Sequence, residues 1–143
     1  MGPGALGHAG FWFFRLGCDS VPTPTKTVMG NEPNVVPVTN ELKIQGARKG
    51  FYKPGKTLEI KMRTEGYDEH LLHITAGSLQ NDETLNEDDQ ASVKCDGKLG
   101  AFGIPNNKRK IFWTAPDSGE AVNVTLLAAD AYGPVDFYQL TLQ

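Results

Sequence analysis

The chain has 143 residues, 39% of them hydrophobic and 22% charged, with a net charge of −3. This composition suits one globular domain with its own core and excludes a disordered chain. The slight acidic excess argues against a nucleic-acid binder, and no run of about 18 apolar residues exists to form a membrane-spanning helix.

Gly and Ala dominate up to Gly10, and Phe11-Trp12-Phe13-Phe14 follow directly. A secretory leader carries its basic residues ahead of its apolar stretch, whereas Arg15 comes after it here. Residues 1–17 are read as an atypical leader or N-terminal extension, with a short first strand or an expression artefact as the plainer alternatives. Residues 18–143 form the domain.

The two cysteines, Cys18 and Cys95, lie among polar residues, and no C-x-x-C occurs. A catalytic thiol is one reading. A disulfide is the preferred one, because it would close a long loop and stabilise the fold by roughly 4–5 kcal/mol on the chain-entropy estimate. It places the chain in an oxidising compartment, outside the cell.

Pro22, Pro24, Pro33 and Pro37 make residues 20–40 extended chain with at most edge-strand character. Leu58 to Arg63 alternates apolar and charged residues, the period of a half-buried strand, after a Pro54-Gly55 turn. His70 to Ile74 reads as a strand buried on both faces, ended by Ala76-Gly77. Residues 80–90 read as a solvated acidic loop. Ala91, Val93 and Cys95 alternate with polar residues as another strand, and 97–107 reads as a long Gly-rich loop. A strand starting at Lys110 is stopped by Ala115-Pro116. Within it, Trp113 and Ile111 are expected on one face, in the core. Val122, Val124 and Leu126 mark the next strand, and Val135 to Leu142 the last. Short strands with turn signals between them predict an all-β, antiparallel sandwich.

Several motifs point to chemistry but lack its context. Gly50 to Thr57 satisfies G-x-x-x-x-G-K-[ST], and Leu126 to Asp130 resembles an apolar strand ending in a metal-binding acid. A phosphate-cradling loop must open a helix, and a period-two strand follows instead. His70 and His73 form H-x-x-H, but on a strand they point to opposite sides and could not chelate one ion. The acidic stretch lacks the ordered spacing of a calcium loop. No G-x-S-x-G elbow is present. Asn123-Val124-Thr125 is an N-glycosylation sequon whose Asn123 and Thr125 are expected to face solvent together.

Against that frame the residues resemble a known family. Tyr52-Lys53-Pro54-Gly55, followed by Leu58, Ile60 and Met62, resembles the Y-x-P-G strand start of Reeler domains, the reelin amino-terminal-like domains. Tyr67 with Leu71-Leu72 is similar to the family's aromatic-then-apolar strand, and Cys95 stands where the family has a cysteine. Trp113-Thr114-Ala115-Pro116, then Gly119 and Val122, resembles its W-x-A-P…G-x-V segment, and Phe137-Tyr138 fits its close. The resemblance covers about residues 18–142. The chain departs from the family at His70, after Cys95, and in lacking a second disulfide.

The resemblance implies an extracellular, immunoglobulin-like β-sandwich. Such domains occur in matrix and neuronal-guidance proteins, in small secreted insect-type defence proteins and in ferric-chelate-reductase-like membrane proteins, and none supplies a catalytic centre. The expected function is non-catalytic recognition or adhesion, with a protein or glycan partner and no cofactor. Its expected surface is Asp82, Glu83, Glu87, Asp88 and Asp89 with Lys108, Arg109 and Lys110. The alternative is a self-associating structural subunit of a coat, matrix or filament, docking through Phe11 to Phe14. A third reading, a haem-bearing redox domain, would draw axial ligands from Met62, His70 and His73.

Overall fold

The alternation in Thr57-Leu58-Glu59-Ile60-Lys61-Met62 puts Ile60 and Met62 on a buried face and leaves Glu59 and Lys61 beside water. That pattern, repeated along the chain, builds ten strands in the computed structural model, which describes residues 17–19, 22, 33–64, 67, 69–81, 84, 92–102, 110–129 and 134–143. In chain order they are β1 (Asn34–Val35), β2 (Leu42–Ile44), β3 (Thr57–Met62), β4 (Glu69–Ile74) and β5 (Ser78–Asn81). Then come β6 (Ser92–Lys94), β7 (Leu99–Phe102), β8 (Lys110–Thr114), β9 (Val122–Ala129) and β10 (Val135–Leu142).

The strands form two sheets, ordered β1-β10-β9-β4-β7-β6 and β2-β3-β8-β5. Every pairing is antiparallel except one: β1 runs parallel to β10 at the edge of the larger sheet. The all-β sandwich is therefore present with a parallel edge pair. Among its described residues, the Pro-rich chain supplies that two-residue edge strand.

The main core lies between the sheets. Trp113 is fully buried there with Ile111 on the same face. The Trp113 indole donates to the Ala76 carbonyl at 2.9 Å, and Tyr52 meets its ring edge-on at 5.3 Å. A buried indole needs such a partner, since an unpaired N–H there would be costly.

A second apolar cluster occupies the other face of the larger sheet. Leu71, Leu99, Ala101, Leu127 and Phe137 meet there, one residue out of phase with the main core. β4 is buried on both faces, as its continuous apolar run predicts. Cys95 packs against this second cluster. Its disulfide to Cys18, with Cα atoms 5.4 Å apart, ties the N-terminal segment to that face.

Three strands correct the sequence reading. β2 and β5 are short edge strands of three and four residues. Their ladders, not their composition, define them. β7 lies inside the expected Gly-rich loop. Its Gly100 sits opposite Leu72, and a Cβ there would make ordinary van der Waals contact with Leu79 and Ile111, at 3.6 and 3.7 Å. Glycine keeps both backbone groups that the ladder uses, so its presence here did not mark a loop.

Thr125 is a fourth correction. It is 1% exposed, so it does not face solvent with Asn123. β9 is flanked by β10 and β4 on its two sides, and its outer face is covered from Thr125 onward. The Gln139 amide donates to the Thr125 hydroxyl at 3.2 Å.

Candidate functional site

A cleft opens at one end of the sandwich, where β2 begins and β3 ends. The chain enters β2 through Thr39-Asn40-Glu41, and the Glu41 carboxylate folds back on this turn. It accepts bonds from the Thr39 amide at 2.9 Å, the Thr39 hydroxyl at 3.0 and 3.1 Å, and the Asn40 amide at 3.1 Å. These bonds, the Thr39 amide first, hold the Glu41 carboxyl below the usual carboxylate range. Glu41 thus stays ionised beside the cleft.

From β10, Asp136 faces inward, because it pairs opposite the core residue Ala128. Its Oδ2 accepts the Tyr67 hydroxyl at 2.7 Å and lies 3.5 Å from the Tyr138 hydroxyl. Burial, then the Asp136 and Glu41 charges, push the Tyr138 phenol up to about 12. Tyr138 therefore remains a neutral donor. Beneath it, the Thr64 hydroxyl bonds His70 Nε2.

Thr39, Asn40, Glu41, Arg63, Thr64, Tyr67 and Tyr138 line this cleft of about 410 Å³. Arg63 and Asn40 also line a smaller groove of about 110 Å³ with Lys43, Gln45 and Lys61. The wall thus offers amide and guanidinium donors beside a fixed carboxylate, with phenol oxygens, their protons directed at Asp136, as further acceptors. Such a set can satisfy a ligand rich in hydroxyl or amide groups. Thr64 and His70 are only 6% and 4% exposed, and Asp136 is directed to the tyrosines rather than to the imidazole.

The structure places the sequence-predicted residues as follows. Cys18 and Cys95 are bonded. Asn123 is exposed at the start of β9, its amide oxygen accepting from the Thr141 hydroxyl at 2.8 Å. Asp82, Glu83, Glu87, Asp88, Asp89, Lys108 and Arg109 lie outside the described residues, as do Phe11 to Phe14. Lys110 heads β8, its backbone opposite Lys61. Gly50 to Thr57 leads into a strand, β3, as its period predicts.

His70 and His73 face opposite sides of β4. His70 lies in the row of Ala128, on the main-core face, and His73 in the row of Thr125. Both are buried, rather than set at the surface. With His70 Nε2 bonded to Thr64 and His73 on the far face, the three expected axial ligands do not converge. Among the described residues, no three His, Cys, Asp or Glu side chains are grouped to hold a metal, and no helix is long and apolar enough to cross a membrane.

The cleft residues escaped the sequence reading, because they come from three separated stretches, 39–41, 63–67 and 136–138. One signal was available. Asp136 shares the inward phase of Tyr138, Leu140 and Leu142 in β10. An acid on an apolar phase needs a partner, and Tyr67 supplies it.

The fold and the single cross-link define a class: a two-sheet, disulfide-linked β-sandwich with a polar cleft between the sheet ends. Comparison with solved structures narrows this to a reeler-like fold. A crystal structure of the human F-spondin reeler domain superposes with a TM-score of 0.57 at 16% identity, covering 80% of this chain and 96% of that one. A second fragment of that human domain gives 0.56 at 16% identity, over 78% and 89%. The Reelin-N domain of F-spondin gives 0.53 at 14% identity, over 77% and 90%. No family model matches the sequence, and no curated protein matches it significantly.

Proposed function

We propose that this chain is an extracellular, non-catalytic recognition module that holds a polar protein or glycan partner in the cleft between Glu41, Arg63, Tyr67 and Tyr138. The carrying observation is the cleft itself, in which the ionised Glu41 carboxylate and the exposed Asn40 and Arg63 present acceptors and donors around an opening of about 410 Å³. The reeler-like fold and the Cys18–Cys95 disulfide support an extracellular setting. Export through a eukaryotic secretory pathway would add a glycan at exposed Asn123, read as a mass shift on glycosidase treatment.

The test pairs glycan-array and pull-down binding of the secreted protein with the variants Asn40→Ala and Arg63→Ala. Both side chains are exposed, so the fold is expected to survive. A partner recognised through the cleft should bind each variant about tenfold more weakly, the cost of losing one good polar contact. A partner bound equally by wild type and both variants sinks this reading.

A further inference from the structure

The charge of this molecule is unevenly placed. Between Leu42 and Arg63 stand seven cations and one carboxylate, Glu59, although the whole chain carries −3. This stretch is the β2–β3 hairpin, at one edge of the smaller sheet. Glu59 is spent on Lys61, at 3.6 Å. On the sheet face Lys43 stands directly opposite Lys61, an arrangement that disfavours folding because like charges repel across strands.

The apex is more unusual. Arg48 and Phe51 close a two-residue turn, with the Phe51 amide donating to the Arg48 carbonyl at 2.9 Å. Both central residues have positive φ, Lys49 at 54° and Gly50 at 79°. A turn of this hand favours Asn or Gly at its first central position, and a lysine there is conformationally disfavoured. The turn displays Phe51, 61% exposed, while Tyr52 turns inward to Trp113. Arg48, Lys49, Lys53 and Lys56 flank it along the chain, all exposed. One exposed apolar residue is ordinary. A ring with no polar handle, flanked within five residues by four exposed cations on a disfavoured turn, calls for an explanation.

We infer that this hairpin apex docks the module on an anionic lipid surface. The cations meet the headgroups, and Phe51 enters the interface, where its ring leaves water. A soluble polyanion would use the cations and leave Phe51 without a role. Asp117 lies near Gly55 and Glu120 near Tyr52, so the apex is not purely basic, but the cations outnumber them. The docking surface is independent of the cleft. The cleft lies at the Glu41 and Arg63 ends of β2 and β3, and the apex joins their other ends. A docked module therefore turns its cleft away from the membrane.

The test is co-sedimentation of the intact, disulfide-bonded chain with vesicles of phosphatidylcholine alone and of phosphatidylcholine mixed with phosphatidylserine. The wild type should sediment only with the anionic vesicles, and less as salt rises. Lys49→Gly should weaken binding about fivefold, the share of one cation near such a surface. It removes the charge where glycine is the preferred residue, so misfolding cannot explain the loss. Phe51→Ser, at an exposed position, should weaken binding about tenfold with an unchanged thermal melt. No binding to anionic vesicles overturns the proposal. So does unchanged binding of Phe51→Ser, which would mean charge attraction alone. Binding to chondroitin sulfate that the variants lose, without vesicle binding, also overturns it in favour of a sugar polyanion.

Discussion

At the scale of the residue, Gly77 shows how closely the core fixes its boundary. It ends the β4 turn with φ at +77°, and a Cβ there would overlap the Thr114 carbonyl and the Trp113 indole. The same turn presents the Ala76 carbonyl to the indole N–H. Gly77→Ala therefore meets strain and overlap together. It should lower stability by about 2–4 kcal/mol, read as a shift in the denaturant midpoint. A shift within error of zero would mean that the Trp113 pocket can yield. The Trp113 placement itself was legible, because Pro116 and the period of Ile111 fix the strand end and its phase. The partner that holds the indole was not, since Ala76 lies 37 residues away.

At the scale of the element, β4 is buried on both faces and yet carries titratable groups. Burial holds the His73 imidazole below the usual histidine range. The unfolded chain takes up a proton near pH 6.5 that the folded chain resists. By linkage, the contribution of His73 stays constant at neutral pH and above. It declines as pH falls through about 6.5, until the folded-state pKa is passed. His73→Gln should flatten that decline in a series of denaturant titrations from pH 8 downward, numbers set about the histidine range. An equal slope in the variant would assign the acid sensitivity to other groups. The apolar run predicted the double burial of β4, whereas β2, β5 and β7 were hidden. Each is short, and its ladder bonds rather than its side chains hold it in the sheet.

At the scale of the whole molecule, one disulfide spans 77 residues of sequence. It joins a segment before β1 to the turn after β6, where Cys95 sits at a φ of 59°. Closing a loop that long constrains the unfolded chain, with an expected contribution of about 4–5 kcal/mol. Urea unfolding with and without reductant should differ by an amount of this order. If the reduced protein unfolds at the same denaturant concentration, the second apolar cluster keeps the N-terminal segment in place by packing alone. The charge map belongs to this scale as well. A chain of net −3 places seven of its fourteen cations in one hairpin, a feature that a window count of charge along the sequence could have found, and that the total charge conceals.

What the sequence determined by itself were the features carried by local period and by simple counting. Alternation showed the inward faces of β3, β8 and β9, a pair of cysteines the cross-link, and the strand after Thr57 removed the phosphate-loop reading. Tertiary structure alone decided what depends on pairing between distant strands. The burial of Thr125 follows from what covers the outer face of β9. The cleft follows from Glu41, Arg63, Tyr67 and Tyr138 meeting at one sandwich end, although they span nearly 100 residues of chain. The physical reason is that a strand's own period fixes which way each side chain points, while only the register between strands fixes what it meets.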